Sequence, residues 1–231
     1  MTMKKSSSAG IWAMTLKLNK YLPRECRPQS IIMIQNTPSD MEIHAMLPLM
    51  VDVRNRLVIV IGGGKIAYRR LSVFLKQGAK IKVISPHVIE EISLLHAQSQ
   101  IEWKQKEADI DDLHEAFIIV AATDSKEVNA WAARKAGEHQ LVNLAGESEL
   151  GNVQVPSFHQ RGRLTLAVST GGASPTLAKN LSKQFIDQFD DAFFDLLEEL
   201  FKEREKIKAA DLSQDEKKRL LIQLAKKSMD S

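Results

Sequence analysis

The sequence predicts an α/β fold in which a Rossmann-type parallel sheet is followed by a small α+β segment and a helical C-terminal region. Three observations support this. The apolar segment Leu57–Ile61 leads through three glycines into an amphipathic helix. Further short apolar segments alternate with helical ones as far as Leu144, as in a parallel sheet whose strands are joined by helices. Beyond Gly151 the pattern changes to alternating strands and then to long helices.

The glycine loop carries the most specific motif. Gly62, Gly64 and Ala67 fill the G-x-G-x-x-G/A fingerprint, which provides a tight turn, close approach of a pyrophosphate, and close helix-on-strand packing. The partly positive N-terminus of the following helix would face that ligand. The alternative is an ordinary strand-to-helix turn. We predict a dinucleotide site with the following cofactor-binding residues: Gly62, Gly63, Gly64, Lys65 and Ile66.

A second strand, Lys80–Ile84, ends at Ser85-Pro86. An NAD-binding unit usually carries an acid near this point to hold the adenosine ribose, but Glu90 and Glu91 lie further on. The discrimination between NAD and NADP is therefore weak, although we expect NAD. Ser85, Pro86 and His87 are placed to meet the ribose instead, whereas the alternative puts His87 in the first turn of a surface helix.

The next strands should complete the cofactor site at their carboxyl ends, where open parallel sheets bind ligands. A short strand at Ile101–Trp103 and an acidic helical turn at Asp109–Glu115 precede the buried strand Phe117–Ala122. The small Ala122 would let a cofactor lie close. Three residues at the ends of this strand and the following one are expected to contact the cofactor: Ala122, Thr123 and Asn143.

The residues just after the buried strand have a second interpretation. Asp124 or Ser125 could simply cap the helix predicted from Lys126 to Gly137, because both residue types are common N-caps. The helix leads into a fifth strand, Leu141–Leu144. Capping is therefore an alternative to a catalytic role for Asp124.

Beyond Gly151, two strands should pair antiparallel around a turn at Gly162: Val153–Pro156 and Arg163–Ser169. The loop that follows ends in Ser174, a helix cap, and Pro175, at the first helical position, and is a second candidate anion site. A helix from Thr176 then carries an apolar stripe as far as Phe201. A second copy of the chain would cover this stripe, and core packing within the monomer is the alternative.

Composition sets the outer bounds. With 231 residues and 44% hydrophobic content, the chain can form one large domain or two small ones. The net charge of +3 does not indicate nucleic acid, and no apolar run approaches the roughly 20 residues that cross a bilayer. The single cysteine, Cys26, excludes an intrachain disulfide and a multi-cysteine metal site, so we expect a cytoplasmic protein.

Residues 1–45 differ from the rest of the chain. Prolines at 23, 28 and 38 interrupt any steady period, and the short apolar patch after Lys4 and Lys5 lacks a convincing cleavage site for a signal peptide. We expect a loosely ordered extension, or a segment upstream of a functional start at Met46.

Several short motifs follow one another in a fixed order. They are Leu47-Pro48-Leu49, Gly62-Gly63-Gly64, Ala121-Ala122-Thr123-Asp124, Val142-Asn143, Val155-Pro156-Ser157 and the run from Val168 to Pro175. The ordered set resembles the precorrin-2 dehydrogenase family, which includes the N-terminal part of siroheme synthase and its stand-alone bacterial and fungal relatives. The resemblance spans Leu47 to about Phe189. The methyltransferase half of the fused enzymes has no counterpart here, so we expect the stand-alone form.

The resemblance implies NAD-dependent conversion of precorrin-2 to sirohydrochlorin, a step toward sirohaem. It also implies a homodimer with strands and helices exchanged between subunits. The implied organisation is an NAD-binding Rossmann domain at 46–151, a dimerisation domain at 152–182 and a helical C-terminal domain at 183–231. One alternative is a bifunctional dehydrogenase and ferrochelatase, and another is a different Rossmann enzyme or a non-catalytic NAD-binding sensor. A pure iron chelatase that uses the same pocket and a dimeric scaffold are the others.

Oxidation of a reduced tetrapyrrole requires a hydride acceptor and loss of a proton, so a carboxylate near the macrocycle would serve as base. The catalytic aspartate of the family falls at Gly146 in this chain. Our hypothesis is that Glu147 takes its role one position later, with Asp124 as the second candidate. The alternative for Glu147 is a solvated loop acid. The missing aspartate argues against metal chelation, and no metal ligands are predicted.

The substrate of the family carries eight carboxylates, so its pocket should offer cations and helix N-termini. The predicted substrate-binding residues lie in or near the second glycine loop: Thr170, Gly171, Ser174, Arg161 and Lys179, with Arg163 and Lys183 as further candidates. The alternative for each cation is a solvent-facing charge. Thr170 stands where siroheme synthase carries a serine that can be phosphorylated.

Overall fold

The computed structural model describes residues 46–227, and their side chains as far as residue 224. The predicted extension at residues 1–45 lies outside the described residues. Residues 47–227 belong to one compact unit. Among the described helices, none is both long enough and apolar enough to cross a membrane.

Five parallel strands form the central sheet in the order β3-β2-β1-β4-β5. They are β1 (Leu57–Ile61), β2 (Lys80–Ile84), β3 (Glu102–Lys104), β4 (Ile118–Ala121) and β5 (Leu141–Leu144). Val60 lies opposite Val83 on one side and Val120 on the other, and Val120 lies opposite Asn143. The direction of winding reverses between β1 and β4, and such a reversal opens a crevice at the carboxyl ends of the strands.

Three helices cover the two faces of this sheet: α1 (Lys65–Lys76), α2 (Glu90–Ala97) and α3 (Lys126–Lys135). Alternate strand residues point to opposite faces. Val58 and Val60 therefore join the core beneath α1 and α2, while Ile59 and Ile61 join the core on the α3 side. The predicted α/β class and parallel sheet are confirmed.

An antiparallel hairpin follows, consisting of β6 (Ser157–Arg161) and β7 (Leu164–Val168). Gly162 makes the turn with a φ of +55°. The antiparallel pairing was predicted correctly, but the placement of the first strand at Val153–Pro156 was wrong. The backbone N–H groups of Asn152 and Val153 bond to the carbonyl of Val142 at 3.1 and 3.2 Å, so this segment runs beside β5 instead.

The C-terminal region contains α4 (Pro175–Ile186), α5 (Asp191–Ala209) and α6 (Gln214–Lys227). The expectation of a single helix from Thr176 to Phe201 was wrong. The first helix ends at Ile186, and the Asp190 carboxylate starts the next by accepting from the N–H of Phe193 at 3.0 Å. The proposed domain boundary at 182 and 183 falls inside α4 and stays a prediction.

Candidate nucleotide and substrate site

Two glycines of the loop are required by the protein itself. Gly62 has a φ of +115°, and a Cβ there would lie 2.5 Å from the carbonyl oxygen of Ala122. A Cβ on Gly63 would lie 2.0 Å from the carbonyl oxygen of His87. The Gly63 carbonyl also accepts a hydrogen bond from the N–H of Ile89 at 2.9 Å. The loop is thus fitted tightly against the segments that follow β2 and β4.

Gly64 differs from both neighbours. It is the N-cap of α1 with an ordinary φ of −91°, and a Cβ built on it would meet nothing within 4 Å. No side chain caps this helix end, and no acid lies in its first turn. The first N–H groups of a helix have no partner within the helix and attract anions. The exposed residues Lys65 and Ile66 belong to this turn, so the predicted diphosphate position is open at Gly64.

A cleft of about 570 Å³ lies at the carboxyl ends of β1, β2 and β4. Its lining includes Gly62 of the glycine loop, Ser85 and Pro86 after β2, and Thr123 after β4. This agrees with the expected position of the adenosine half of a dinucleotide in such a sheet. The cleft and the open end of α1 therefore share the same edge of the sheet.

The end of β2 is held by hydrogen bonds to its own surroundings. The Ser85 hydroxyl donates to the carbonyl of His87 at 2.7 Å, and the Ser85 carbonyl accepts from Nε1 of Trp103 at 3.0 Å. His87 is exposed and precedes α2, whose N-cap is Ile89, so it is not in the first turn of that helix. The only proton of the Ser85 hydroxyl is thus used within the protein.

The end of β4 is fixed by Asn129, a buried residue of α3. Its amide accepts from the N–H and the hydroxyl of Thr123 at 3.1 and 2.9 Å, and donates to the Thr123 carbonyl at 3.0 Å. Ser125 is the N-cap of α3, because its hydroxyl accepts from the N–H of Val128 at 3.2 Å. The capping interpretation therefore holds for Ser125, and Asp124 remains exposed beyond the strand end.

Asn143 lies on β5, one residue before the strand end, and is buried. Its side-chain oxygen accepts from Arg70 of α1, and its side-chain nitrogen donates to the carbonyl of Val153 at 3.0 Å. Burial lowers the pKa of the Arg70 guanidinium, and the charge of Arg69 adds to the effect. Asn143 therefore ties α1 and the segment after Gly151 to β5.

The predicted catalytic carboxylates follow neighbouring strands. Gly146 has a φ of +93°, a conformation that L side chains rarely adopt, whereas Glu147 has a φ of −113°. The Glu147 side chain is 31% exposed, and its carboxylate lies 3.9 Å from the Lys126 ammonium of α3. This loop thus favours a carboxylate at 147 rather than at 146, on the same edge of the sheet as Asp124.

The second glycine loop is closed by its own hydroxyls. The Thr170 hydroxyl donates to the Ser174 carbonyl at 3.2 Å and accepts from the Ser174 N–H at 3.0 Å. The Ser174 hydroxyl accepts from the N–H of Leu177 at 3.2 Å and so caps α4 as predicted. Gly171 has a φ of +59°, which completes the tight turn.

The predicted substrate cations divide into two groups. Arg161 pairs with Asp191 and lies over the ring of Phe194, and Arg163 lies 2.9 Å from the Glu198 carboxylate. Lys183 of α4 pairs with Asp187, the C-cap residue of that helix, at 2.6 Å. Lys179 is exposed on α4, five residues after the Ser174 cap. The two arginines therefore connect the hairpin to α5, and Lys179 is the cation of this set that is best placed for a ligand.

Comparison with known proteins identifies the family. A family model described as putative NAD(P)-binding matches residues 49–157, and one described as sirohaem biosynthesis protein central matches residues 161–184. A precorrin-2 dehydrogenase from Bacillus subtilis is 42% identical over 137 residues, which are 59% of this chain and 85% of that protein. The chain belongs to the precorrin-2 dehydrogenase family. The family predicted from the ordered motifs is confirmed.

Two further proteins are similar to this chain. A solved structure titled SirC, precorrin-2 dehydrogenase, superposes with a TM-score of 0.66 at 37% identity, covering 78% of this chain and 89% of that one. The siroheme synthase of Zymomonas mobilis is 35% identical over 58% of this chain but only 29% of its own length. The likeness to siroheme synthase therefore concerns one part of a longer protein.

The cleft is also lined by residues that were not predicted from the sequence. They are Glu107, Ala108, Glu127, Val128, Trp131 and Arg134. Glu107 and Ala108 follow β3, and the other four lie on α3. Their positions at the carboxyl edge could have been inferred from the order of the strands. The face that α3 turns toward the cleft could not, because it depends on how the helix packs.

Proposed function

We propose that this chain oxidises precorrin-2 to sirohydrochlorin, a step toward sirohaem, by hydride transfer to a nicotinamide cofactor. Membership of the precorrin-2 dehydrogenase family supports the reaction. The observation that supports the site most directly is Gly64, where the open N-terminus of α1 follows β1 at the same edge of the sheet as the cleft. A Rossmann unit binds the diphosphate of a dinucleotide at this position.

The cofactor is a nicotinamide dinucleotide, which when bound supplies the hydride acceptor, and we propose NAD rather than NADP. The N–H groups of the first turn of α1 would hold its diphosphate. Ser85 and Thr123 shape the cleft for its adenosine half. Asn143 would act by keeping β5 and its following loop in place.

For the substrate, we propose that Glu147 accepts the proton that leaves the tetrapyrrole, with Asp124 as the second candidate. A base must lie within hydrogen-bond reach of the proton that it removes, and both carboxylates follow strands at the cofactor edge. The loop of Thr170, Gly171 and Ser174, together with Lys179, would receive substrate carboxylates at the N-terminus of α4.

We further propose that two copies of the chain form a cytoplasmic homodimer through the hairpin and the C-terminal helices. In one copy, α5 has no fully buried residue although its sequence carries phenylalanines and leucines between Phe193 and Phe201. Phe201 remains 39% exposed. Apolar surface of this kind is what a second subunit covers.

The test of the reaction is an anaerobic assay of the full chain with precorrin-2 and NAD. We expect the NADH absorbance band and the spectrum of sirohydrochlorin to grow together. If NAD binds but neither signal grows, the proposal is wrong. Repeating the assay with ferrous or cobaltous ion measures whether the product is also metallated.

The test of the base is Glu147→Gln. A positioned base contributes about 10²- to 10⁴-fold, so turnover should fall by at least about a hundredfold while NAD affinity stays unchanged. Asp124→Asn is the matched variant for the second candidate. Unchanged turnover in Glu147→Gln would remove Glu147 from the mechanism.

A further inference from the structure

The end of β2 lacks the acid that usually holds the adenosine ribose. The hydroxyl of Ser85, which follows β2, is not free to take the place of that acid. Ser85 is only 8% exposed, and its proton is donated to the carbonyl of His87. A ribose 2′-hydroxyl is best recognised by an ionised carboxylate, which accepts hydrogen bonds and donates none. Any such carboxylate must therefore come from a neighbouring segment.

Glu107 is an acid that lines the same cleft as Ser85 and Pro86. It lies three residues beyond the end of β3, the strand that is paired with β2. The two strand ends are joined directly, since the N–H of Ser85 donates to the carbonyl of Lys104 at 3.2 Å and Trp103 donates to the carbonyl of Ser85. The segment after β3 thus brings a carboxylate to the place where β2 has none.

The lysines near Glu107 are held by other acids. Asp112 is buried, and its carboxylate lies 2.7 Å from the Lys106 ammonium and 3.5 Å from that of Lys104. Asp109 also pairs with Lys106, at 2.5 Å. These ion pairs fix the segment that carries Glu107 and keep both cations away from the cleft.

Glu107 itself has no hydrogen bond or ion pair with any residue in the described part of the chain. The other acid of the cleft, Glu127, accepts from the hydroxyl of Ser125 at 2.8 Å at the start of α3. The pKa of Glu127 is lowered by its own backbone N–H and by that hydroxyl. Glu107 is therefore the acid of this lining whose acceptor capacity is unused.

We propose that Glu107 accepts a hydrogen bond from the 2′-hydroxyl of the adenosine ribose and so selects NAD over NADP. A 2′-phosphate in the same place would bring like charges together without a neutralising lysine, which opposes its binding. The assignment rests on the proposed function, because it requires the cleft to hold the adenosine half of a nicotinamide dinucleotide.

Arg134 is the feature of the cleft that argues for the opposite preference. It lies on α3 and lines the same cleft, and an arginine near the ribose accommodates the 2′-phosphate of NADP in other Rossmann domains. Charge alone does not decide between these two residues. The pairing of β3 with β2 joins the Glu107 segment to the strand end that faces the ribose, whereas Arg134 lies on α3, which follows β4.

The experiment is titration calorimetry of the full chain with NAD and with NADP in the absence of tetrapyrrole. The wild-type chain should bind NAD at least about tenfold more tightly than NADP. Glu107→Gln should weaken NAD about tenfold and leave NADP unchanged or tighter, because the charge-assisted hydrogen bond becomes a neutral one. Glu107→Lys should bind NADP more tightly than NAD. Thermal unfolding verifies that both variants fold.

Glu127→Gln is the matched control, since it removes the same charge from the same cleft at a carboxylate that is already bonded. Its ratio of NAD to NADP affinity should stay within about threefold of the wild type. An unchanged ratio in Glu107→Gln overturns the assignment. So does a wild-type preference for NADP that disappears in Arg134→Gln.

Binding without tetrapyrrole separates this assignment from the proposed reaction. If Glu107 controls the ratio but precorrin-2 is not oxidised, the assignment stands and the reaction falls. If neither nucleotide binds, both fall.

Discussion

The parallel sheet and the C-terminal region of this chain differ in how far they bury their apolar side chains. The strands β1 and β4 are buried on both faces by helices of the same chain. In the C-terminal region α4 buries Ala178 and Ile186, but no residue of α5 is fully buried and its apolar side chains are at most half-buried. The cofactor half of the protein is thus complete within one chain. The other half leaves apolar side chains such as Leu177 and Phe201 exposed in a single chain.

The sharpest way to test the first half is to compare two adjacent glycines. Gly63→Val should lower the free energy of unfolding by about 3 kcal/mol or more, because its side chain would collide with the backbone at His87. Gly64→Val should change stability by less than about 1 kcal/mol, since its Cβ meets open space. Its NAD affinity should nevertheless fall at least tenfold. Urea unfolding and titration calorimetry measure the two effects.

Equal stability of the two glycine variants would contradict the contacts of the loop. Retained NAD affinity in Gly64→Val would mean that the open end of α1 serves another purpose.

The proposed dimer contact of the C-terminal half can be tested by a substitution in α5. Leu197→Asp places a charge in the apolar stripe of α5, where burial against a partner would leave it unpaired. We expect the dimer dissociation constant to rise at least about a hundredfold, with NAD affinity retained. Light scattering over a dilution series measures the first and calorimetry the second. Glu199→Gln, on the exposed face of the same helix, is the control.

A wild-type chain that is monomeric at every concentration would show that α5 is not an interface. Loss of NAD binding together with the dimer would mean that the cofactor half is not independent.

A smaller effect is expected where the sheet meets the segment leading to the hairpin. Asn143→Ala leaves the buried Arg70 and the Val153 carbonyl without their partner, which should lower the free energy of unfolding by about 1 to 3 kcal/mol. Asn180→Ala, an exposed position on α4, should stay within about 0.5 kcal/mol. Chemical unfolding of both variants gives the comparison. A change at Asn143 no larger than that at Asn180 would mean that these bonds contribute nothing net.

The smallest effect should come from the ion pair between α3 and the loop after β5. The Lys126 side chain is 80% exposed and its ammonium lies 3.9 Å from the Glu147 carboxylate, so solvent screens the pair. Lys126→Ala should change the free energy of unfolding by less than about 0.5 kcal/mol. A larger loss in thermal unfolding would show that this pair holds the loop.

The sheet was predictable because its signals are local. The central strands β1 and β4 are short apolar runs, and the glycine loop joins a strand to a helix within a few residues. The strand at Val153–Pro156 was misplaced because Asn152 also bonds to β5, through its side chain and the N–H of Val142 at 2.7 Å. The alternation of apolar residues that indicated a strand there does not determine which neighbouring segment its backbone bonds to.

The candidate site was predictable in outline and not in detail. The glycines and the ends of β2 and β4 follow from the fingerprint and from strand order. Trp131 and Arg134 enter the cleft from α3, and the sequence does not state which side of that helix faces it. The commitment of Ser85 to the His87 carbonyl was equally hidden, since it depends on how one loop folds back.

The contact between Gly63 and the residues after β2 has a kinetic consequence. Because the Gly63 carbonyl accepts a hydrogen bond from the N–H of Ile89, the turn after β1 and the segment after β2 are bonded to each other in the absence of a ligand. A nucleotide that binds at this edge would find both turns already ordered. Binding would therefore cost little conformational entropy of the backbone. Association should then be a single fast phase whose rate scales with nucleotide concentration.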